Sequence, residues 1–266
     1  MILEKIKEGL KTQFIGQNLL LLTDTFSTND LAKELASQGA KRGTVVLSEK
    51  QSHGRGRLGR KWISPVGGLW FSIILNPNIK PKETFKLTFL TAVVIVQTLK
   101  TLFKLNAQIK WPNDILLNSK KVCGILSELI TNPSGRLDSV IVGIGLNVNI
   151  DLPSFPKSLR FSVTSIKHEL HKEIDREFLL STLLTEFEKY YLRFTEGDFD
   201  RILEEWKEHT CTLDSYVEVE NLDKTINGQA VAIDKDGALL IKLENGAIHR
   251  VLTGDVIIKP FLKPVS

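Results

Sequence analysis

The stretch QIKWPNDILLNSKKVCGILSELI, residues 108–130, is built of short apolar runs separated by chain breakers. Gln108–Lys110, Asp114–Leu117 and Val122–Ile130 are rich in Ile, Leu and Val and predict three strands. Pro112 cannot donate to a sheet ladder and pushes Trp111 toward an extended conformation, so the chain turns between the first two. Asn118-Ser-Lys-Lys121 supplies the hairpin signal between the next two. Outward from this stretch, Leu19–Leu22, Thr44–Ser48, Leu69–Leu75 and Ser139–Val148 also predict strands. Helical periodicity covers residues 1–11, Asn29–Gln38 with Ser27 or Thr28 as N-cap, 83–104, 175–194 and 198–209. From about Leu213 the texture changes to Tyr216–Glu220, Gln229–Ile233, Ala238–Leu243 and Ala247–Leu252, with hairpin signals at Asp236-Gly237, Asn245-Gly246 and Gly254-Asp255. The expected architecture is an α+β domain over residues 1–211 with a small SH3-like β-barrel over 212–266.

Composition narrows the function. The 266 residues are 42% hydrophobic and suffice for a full core. Thirty-five Lys and Arg against 31 Asp and Glu give a net charge of +4, well short of a chain that lives on nucleic acid. Cys123 and Cys211 are far apart and lack CxxC spacing, which excludes a disulfide framework or a cysteine zinc site and fits a reducing cytoplasm. No run of about 20 apolar residues and no signal peptide is apparent, so neither a membrane span nor an anchor is expected.

Three segments carry residue types suited to chemistry. Between two strands lies Gln51-Ser-His-Gly-Arg-Gly-Arg-Leu-Gly-Arg-Lys-Trp62. Its Gly54, Gly56 and Gly59 let backbone approach a ligand while Arg55, Arg57 and Arg60 converge on it, a pattern suited to phosphate or carboxylate. The alternatives are a solvated basic loop or a nucleic-acid-binding segment. Lys110, at a strand end before a turn, offers a compact cation for charge that grows on a phosphoryl group. Gly143-Ile-Gly-Leu-Asn147 closes an apolar strand with two glycines and an amide, consistent with backbone approach to a flat ligand or with a bulge.

Together, Ser27-Thr-Asn29, Gln51, GRGRLGRKW at 54–62, KWPND at 110–114, KVCGILSE at 121–128 and GIGLNVN at 143–149 follow one another as in the biotin–protein ligases, and over residues 20–150 the chain resembles that family. The resemblance implies a class II synthetase-like catalytic domain, a mixed sheet with helices on one side and a biotin pocket above it. It implies biotin contacts from Ser27, Thr28, Asn29, Gln51, Gly54, Arg55, Arg57, Lys110, Gly143 and Gly145. ATP and adenylate contacts are implied for Arg57, Arg60, Trp62, Lys110 and Asn147, with Lys110 and Arg57 as the catalytic cations. The implied substrates are biotin and ATP with Mg²⁺, whose protein ligands are not evident; Asp114 and Glu128 are read as structural. The implied partner is the biotin carboxyl carrier protein domain of a carboxylase, and a homodimer through an exposed sheet edge is compatible with the fold.

Two departures matter. Leu58 stands where some relatives carry another arginine, so the loop is less basic. Some relatives have an N-terminal helix-turn-helix domain and repress transcription; only about 26 residues precede Ser27 here, so a ligase that does not bind DNA is expected. Lipoate–protein ligases share the adenylate chemistry, but the GRGR loop and KWPND argue for biotin.

Overall fold

In the computed structural model, which describes residues 1–132, 134–221 and 224–259, the apolar runs pair into two sheets. β1 (Leu19–Leu22), β2 (Val45–Ser48), β3 (Leu69–Leu75), β4 (Gln108–Lys110), β5 (Asp114–Leu117), β6 (Lys120–Thr131) and β7 (Leu137–Leu146) form the larger one, in the order β1-β2-β3-β7-β6-β5-β4. β1 and β2 run parallel, as their connection through helix α2 (Thr28–Ser37) requires, and the remaining neighbours are antiparallel.

Successive side chains of a strand point to opposite faces, and here both faces are covered. Leu69, Phe71, Ile73 and Leu75 of β3 face the main core with Val45 and Leu47 of β2 and Val140 and Val142 of β7. Helix α3 (Phe85–Phe103) lies on this side, and α5 (Arg176–Thr195) and α6 (Phe199–His209) pack against α3. α1 (Leu3–Gly9) buries Ile6 against α5, and a short α4 (Ile166–Leu170), absent from the periodicity, adds Ile166 to the core. With its leading turn, the core helix spans Pro81–Phe103 and contains an 18-residue window of mean hydropathy 1.4, long and apolar enough by length and composition to cross a membrane, contrary to the expectation that no such run exists. Most of it is buried inside the fold, which is why it is so apolar.

α2 departs from the implied one-sided arrangement. Its Ala32 and Ala36, one turn apart on one helix face, pack on Val46, Ile74 and Ile141, the alternate residues of β2, β3 and β7. Those alternates belong to the opposite face. The functional residues lie on that face, beside α2.

The second sheet contains β8 (Tyr216–Asn221), β9 (Lys224–Ile233), β10 (Leu239–Lys242), β11 (Ile248–Val251) and β12 (Asp255–Ile258), all antiparallel, in the order β11-β10-β9-β8-β12. It is the small SH3-like domain. Gly237 and Gly246 turn their hairpins at φ 76° and 83°, where glycine costs nothing. Gly254-Asp255 is not a hairpin: β11 and β12 lie at opposite edges, and β12 pairs with β8, Val256 opposite Val219. Gly254 crosses so close to β8 that a Cβ there would sit 2.6 Å from Val219.

Candidate active site

Sheet register builds the floor of the site. On the face beside α2, Ser72 of β3 stands opposite Gly143 of β7, which stands opposite Leu126 of β6. In the next row Trp70, Gly145, Gly124 and Asp114 follow one another across four strands. Three glycines therefore leave hollows in an otherwise filled surface. A Cβ on Gly143 would lie 2.1 Å from Asn29 Oδ1, and one on Gly145 would lie 2.3 Å from Trp62 Nε1. The Asn29 carboxamide and the Trp62 indole thus rest directly on the backbone. Trp62 also lies edge-on to Trp70, under the Lys121 ammonium at 5.1 Å, and its buried Nε1 has no partner among the described residues.

A polar network forms one end of the hollow. Ser27 caps α2, accepting from Asp30 N at 3.4 Å. Thr28 donates through its N (2.8 Å) and Oγ1 (3.1 Å) to Gln51 Oε1, and Gln51 Nε2 donates to Ser64 Oγ at 2.8 Å. Ser72 Oγ donates to Asn29 Oδ1 (2.6 Å) and lies 2.8 Å from Thr28 Oγ1. Asn29 Nδ2 donates to Glu128 Oε2 at 2.7 Å. Ser27, Thr28, Asn29 and Ser72 are all buried, so this arrangement is rigid wherever its bonds are satisfied.

The glycine- and arginine-rich loop covers the hollow and is tied down at both ends. Arg55 reaches Asp30 (2.5 Å) and Glu128 (2.9 Å). Arg57 donates to Asn113 Oδ1 at 3.2 Å and to Thr253 Oγ1 at 2.6 Å, and Arg60 pairs with Asp255. The last two arginines thereby bind the loop to the barrel. Burial lowers the pKa of the Arg57 guanidinium, with Asp255 and Asp114 opposing the shift and Arg60 adding to it. A guanidinium stays charged regardless, so it is a cation held partly out of water. Gly54 packs under the loop, where a Cβ would meet Trp62 O at 2.5 Å and Ser64 Oγ at 2.6 Å.

The KWPND segment forms the opposite wall. The Trp111–Pro112 bond is cis, and the Trp111 indole donates to Gly237 O of the barrel at 3.0 Å. Asn113 is fixed by its donation to Ile125 O at 2.8 Å. Lys110 Nζ lies 3.9 Å and Lys121 Nζ 2.6 Å from the Asp114 carboxylate, which makes a small cationic corner. Asn147 donates to Thr164 O at 2.9 Å and leaves its buried Oδ1 without a partner among the described residues.

The residues given biotin, ATP or catalytic roles by the resemblance all line one cavity of about 700 Å³ except Gly54, which with Gly59 lines a neighbouring pocket behind the loop. Lys121, Asn113 and the barrel residues Asp255, Val256 and Ile257 also line it and were not expected there. Simple alternation puts Lys121 on the face away from Gly124. An irregularity in the β5–β6 pairing, where Ile115 faces Cys123 but Leu116 faces Lys121, reverses that alternation and swings the lysine into the cavity. The described residues include no cluster of three or more His, Cys, Asp or Glu that would hold a metal.

The sequence profile of the "Biotin/lipoate A/B protein ligase family" matches residues 22–147, and that of the "Biotin protein ligase C terminal domain" matches residues 212–259. The chain is 38% identical over 253 residues to the Bifunctional ligase/repressor BirA of Bacillus subtilis, covering 95% of this chain and 77% of that protein. It is 28% identical to the Biotin–[acetyl-CoA-carboxylase] ligase of Mycobacterium tuberculosis, with 94% of both chains covered. Among solved structures, the biotin protein ligase of Aquifex aeolicus in complex with biotin and ATP superposes with a TM-score of 0.78 at 30% identity, covering 91% of this chain and 99% of that one.

Proposed function

This chain belongs to the biotin protein ligase family, and from that premise we propose that it activates biotin with ATP to biotinyl-5′-AMP and transfers the biotinyl group to a lysine of a biotin carboxyl carrier protein domain. The observation that carries the reading is that motifs far apart in sequence line a single cavity with a polar end, a flat glycine floor and a cationic wall.

In this reading the ring of biotin lies at the polar end, against Ser27, Thr28, Asn29 and Gln51, with Gly54, Arg55, Gly143 and Gly145 enclosing it. Its carboxylate points to Lys110 and Arg57. The nucleotide takes the end toward the barrel, with Arg57, Arg60 and Lys110 at its phosphates and Trp62 and Asn147 beside it. A carboxylate oxygen attacks the α-phosphorus and pyrophosphate leaves. An anion must approach a polyanion, and Lys110 and Arg57 offset that repulsion and hold the groups in line. The mixed anhydride is destroyed by water, so a loop pinned across the cavity protects it. The carrier amine then attacks the acyl carbon and AMP departs. Mg²⁺ arriving with the nucleotide would neutralise phosphate charge; the lack of a multi-carboxylate cluster among the described residues fits an ion held mainly by phosphates and water.

We place the boundary between the units at 211/212 and the protein in the cytoplasm. A homodimer would use a free edge of the larger sheet. We propose a ligase without repressor activity: helix α1 buries Ile6 against α5 in the core and so is not offered to a DNA groove. A salt-sensitive, sequence-specific DNA complex would overturn that part. The reaction is tested by pyrophosphate release from ATP and Mg²⁺ with biotin, with lipoate and with neither. Release that requires biotin supports the assignment; release with lipoate alone keeps the fold and replaces the substrate.

A further inference from the structure

Glu128 lies on β6 with 20% of its side chain exposed, and three residues from two segments, helix α2 and the arginine loop, donate to its one carboxylate. Lys33 of α2 reaches Oε1 at 2.5 Å, Asn29 of α2 reaches Oε2 at 2.7 Å, and Arg55 of the loop reaches Oε2 at 2.9 Å and Oε1 at 3.2 Å. Burial would raise this carboxyl group, but hydrogen bonds from Lys33 and Asn29 and the charges of Lys33 and Arg55 bring it below the ordinary value, so it is an anion at neutral pH. An ionised carboxylate only accepts, which forces the Asn29 amide to present Nδ2 to Glu128 and Oδ1 to Ser72. The same group holds the first arginine of the loop. Asp30, next to Asn29, holds that arginine from the other side.

We propose that Glu128 is a positioning residue that couples the polar end of the cavity to closure of the arginine loop: through Asn29 it orders the groups that receive the biotin ring, and through Arg55 it latches the loop over the bound adenylate. This rests on the reading given under Proposed function and adds a second latch, independent of the one that Arg57 and Arg60 make with the barrel. The two arms differ chemically. The Asn29 arm needs an acceptor, whereas the Arg55 arm needs a negative charge as well.

Substitution separates the arms. Glu128→Gln keeps an amide oxygen for Asn29 Nδ2 but removes the charge that holds Arg55. It should leave the KM for biotin within about twofold while speeding escape of biotinyl-adenylate roughly three- to thirtyfold, the range of a half-buried charged contact. Glu128→Ala removes both arms and should raise the KM for biotin and the escape rate together. Arg55→Ala removes the whole latch and a residue that encloses the ring, so it should raise escape and the KM for biotin, and Glu128→Gln combined with Arg55→Ala should escape no faster than Arg55→Ala alone, because both break the same contact. Escape is read by mixing enzyme-bound, radiolabelled biotinyl-adenylate with excess unlabelled ligand. Unfolding midpoints taken in parallel mark any variant that is merely destabilised, which would shift the midpoint without separating KM from escape. Normal escape from Glu128→Gln, or additive effects in the double variant, would overturn the inference. Absence of biotin-dependent pyrophosphate release by the unmodified protein would overturn the function itself, which is a different result.

Discussion

Gly145→Ala tests whether the flat floor exists to seat Trp62. The new methyl would lie 2.3 Å from Trp62 Nε1 and 2.6 Å from Cε2, and the floor is a paired strand that cannot retreat, so the indole must lift away. Lifting it forfeits the edge contact with Trp70 and the ammonium of Lys121 over the ring, together worth roughly 1–3 kcal/mol. If the nucleotide uses the seated indole as its wall, that loss appears as a rise of roughly 5- to 150-fold in the KM for ATP, with the KM for biotin changing far less. The protein offers its own reporter. Trp70, Trp111 and Trp206 are fully buried, so Trp62 is the one tryptophan of the four open to a polar quencher. In the variant, acrylamide should quench a larger share of the emission, with a shift to longer wavelength, and Trp62→Phe should abolish both changes. Unaltered quenching with unaltered KM for ATP would show that the floor has slack. A lower KM for ATP would show that the seated indole blocks the nucleotide, and either outcome refutes the reasoning.

Lys110→Ala should slow single-turnover adenylation about 100-fold or more while changing biotin affinity much less, because its charge matters most as phosphoryl charge grows; near-normal pyrophosphate bursts would remove Lys110 from that role. Asp255→Asn frees Arg60 from the barrel. The pair is largely exposed on the Arg60 side, so stability should change by less than about 1 kcal/mol, while biotinyl-adenylate escapes faster in the chase described above. Burial lowers the pKa of His209, with Lys100 adding to the effect, while Gln97 shares its Nε2 at 3.0 Å. The unfolded chain then takes up that proton first, so the contribution of His209 to stability is present above the ordinary histidine value and declines as pH falls through it. Denaturant midpoints between pH 7.5 and 5.5 should fall less steeply in His209→Gln than in the unmodified protein.

Local signals in the sequence led to most of the framework. Leu69–Leu75 is buried at all seven residues, so the run is apolar without alternation except at Ser72, which serves the site, and Asn118 and Ser119 turn their hairpin with the positive φ values that such a tight turn demands. Ser27 is the cap because its hydroxyl meets the third residue of the helix. What escaped the reading was non-local. A helix's own pattern does not say which face of a sheet it covers, so α2 was placed only by the partners of Ala32 and Ala36. The cavity residues come from separate stretches of chain between Ser27 and Ile258, and the loop arginines meet Thr253 and Asp255 almost 200 positions away. No spacing rule spans that distance. Gly254-Asp255 misled because the dipeptide looks like a hairpin turn whether the chain reverses or, as here, crosses to the far edge of the barrel.

The bond from the Trp111 indole to the carbonyl of Gly237 joins the turn that carries Lys110 to the β9–β10 hairpin of the barrel. Its donor is fully buried, and without that carbonyl a polar N–H would be left inside an apolar core. The catalytic half is therefore not a cassette that can be cut out or grafted. A chimera that takes its barrel from another ligase must inherit a main-chain acceptor at that hairpin together with an acidic side chain at position 255, and a chimera that keeps one without the other should fold yet hold its reactive intermediate poorly.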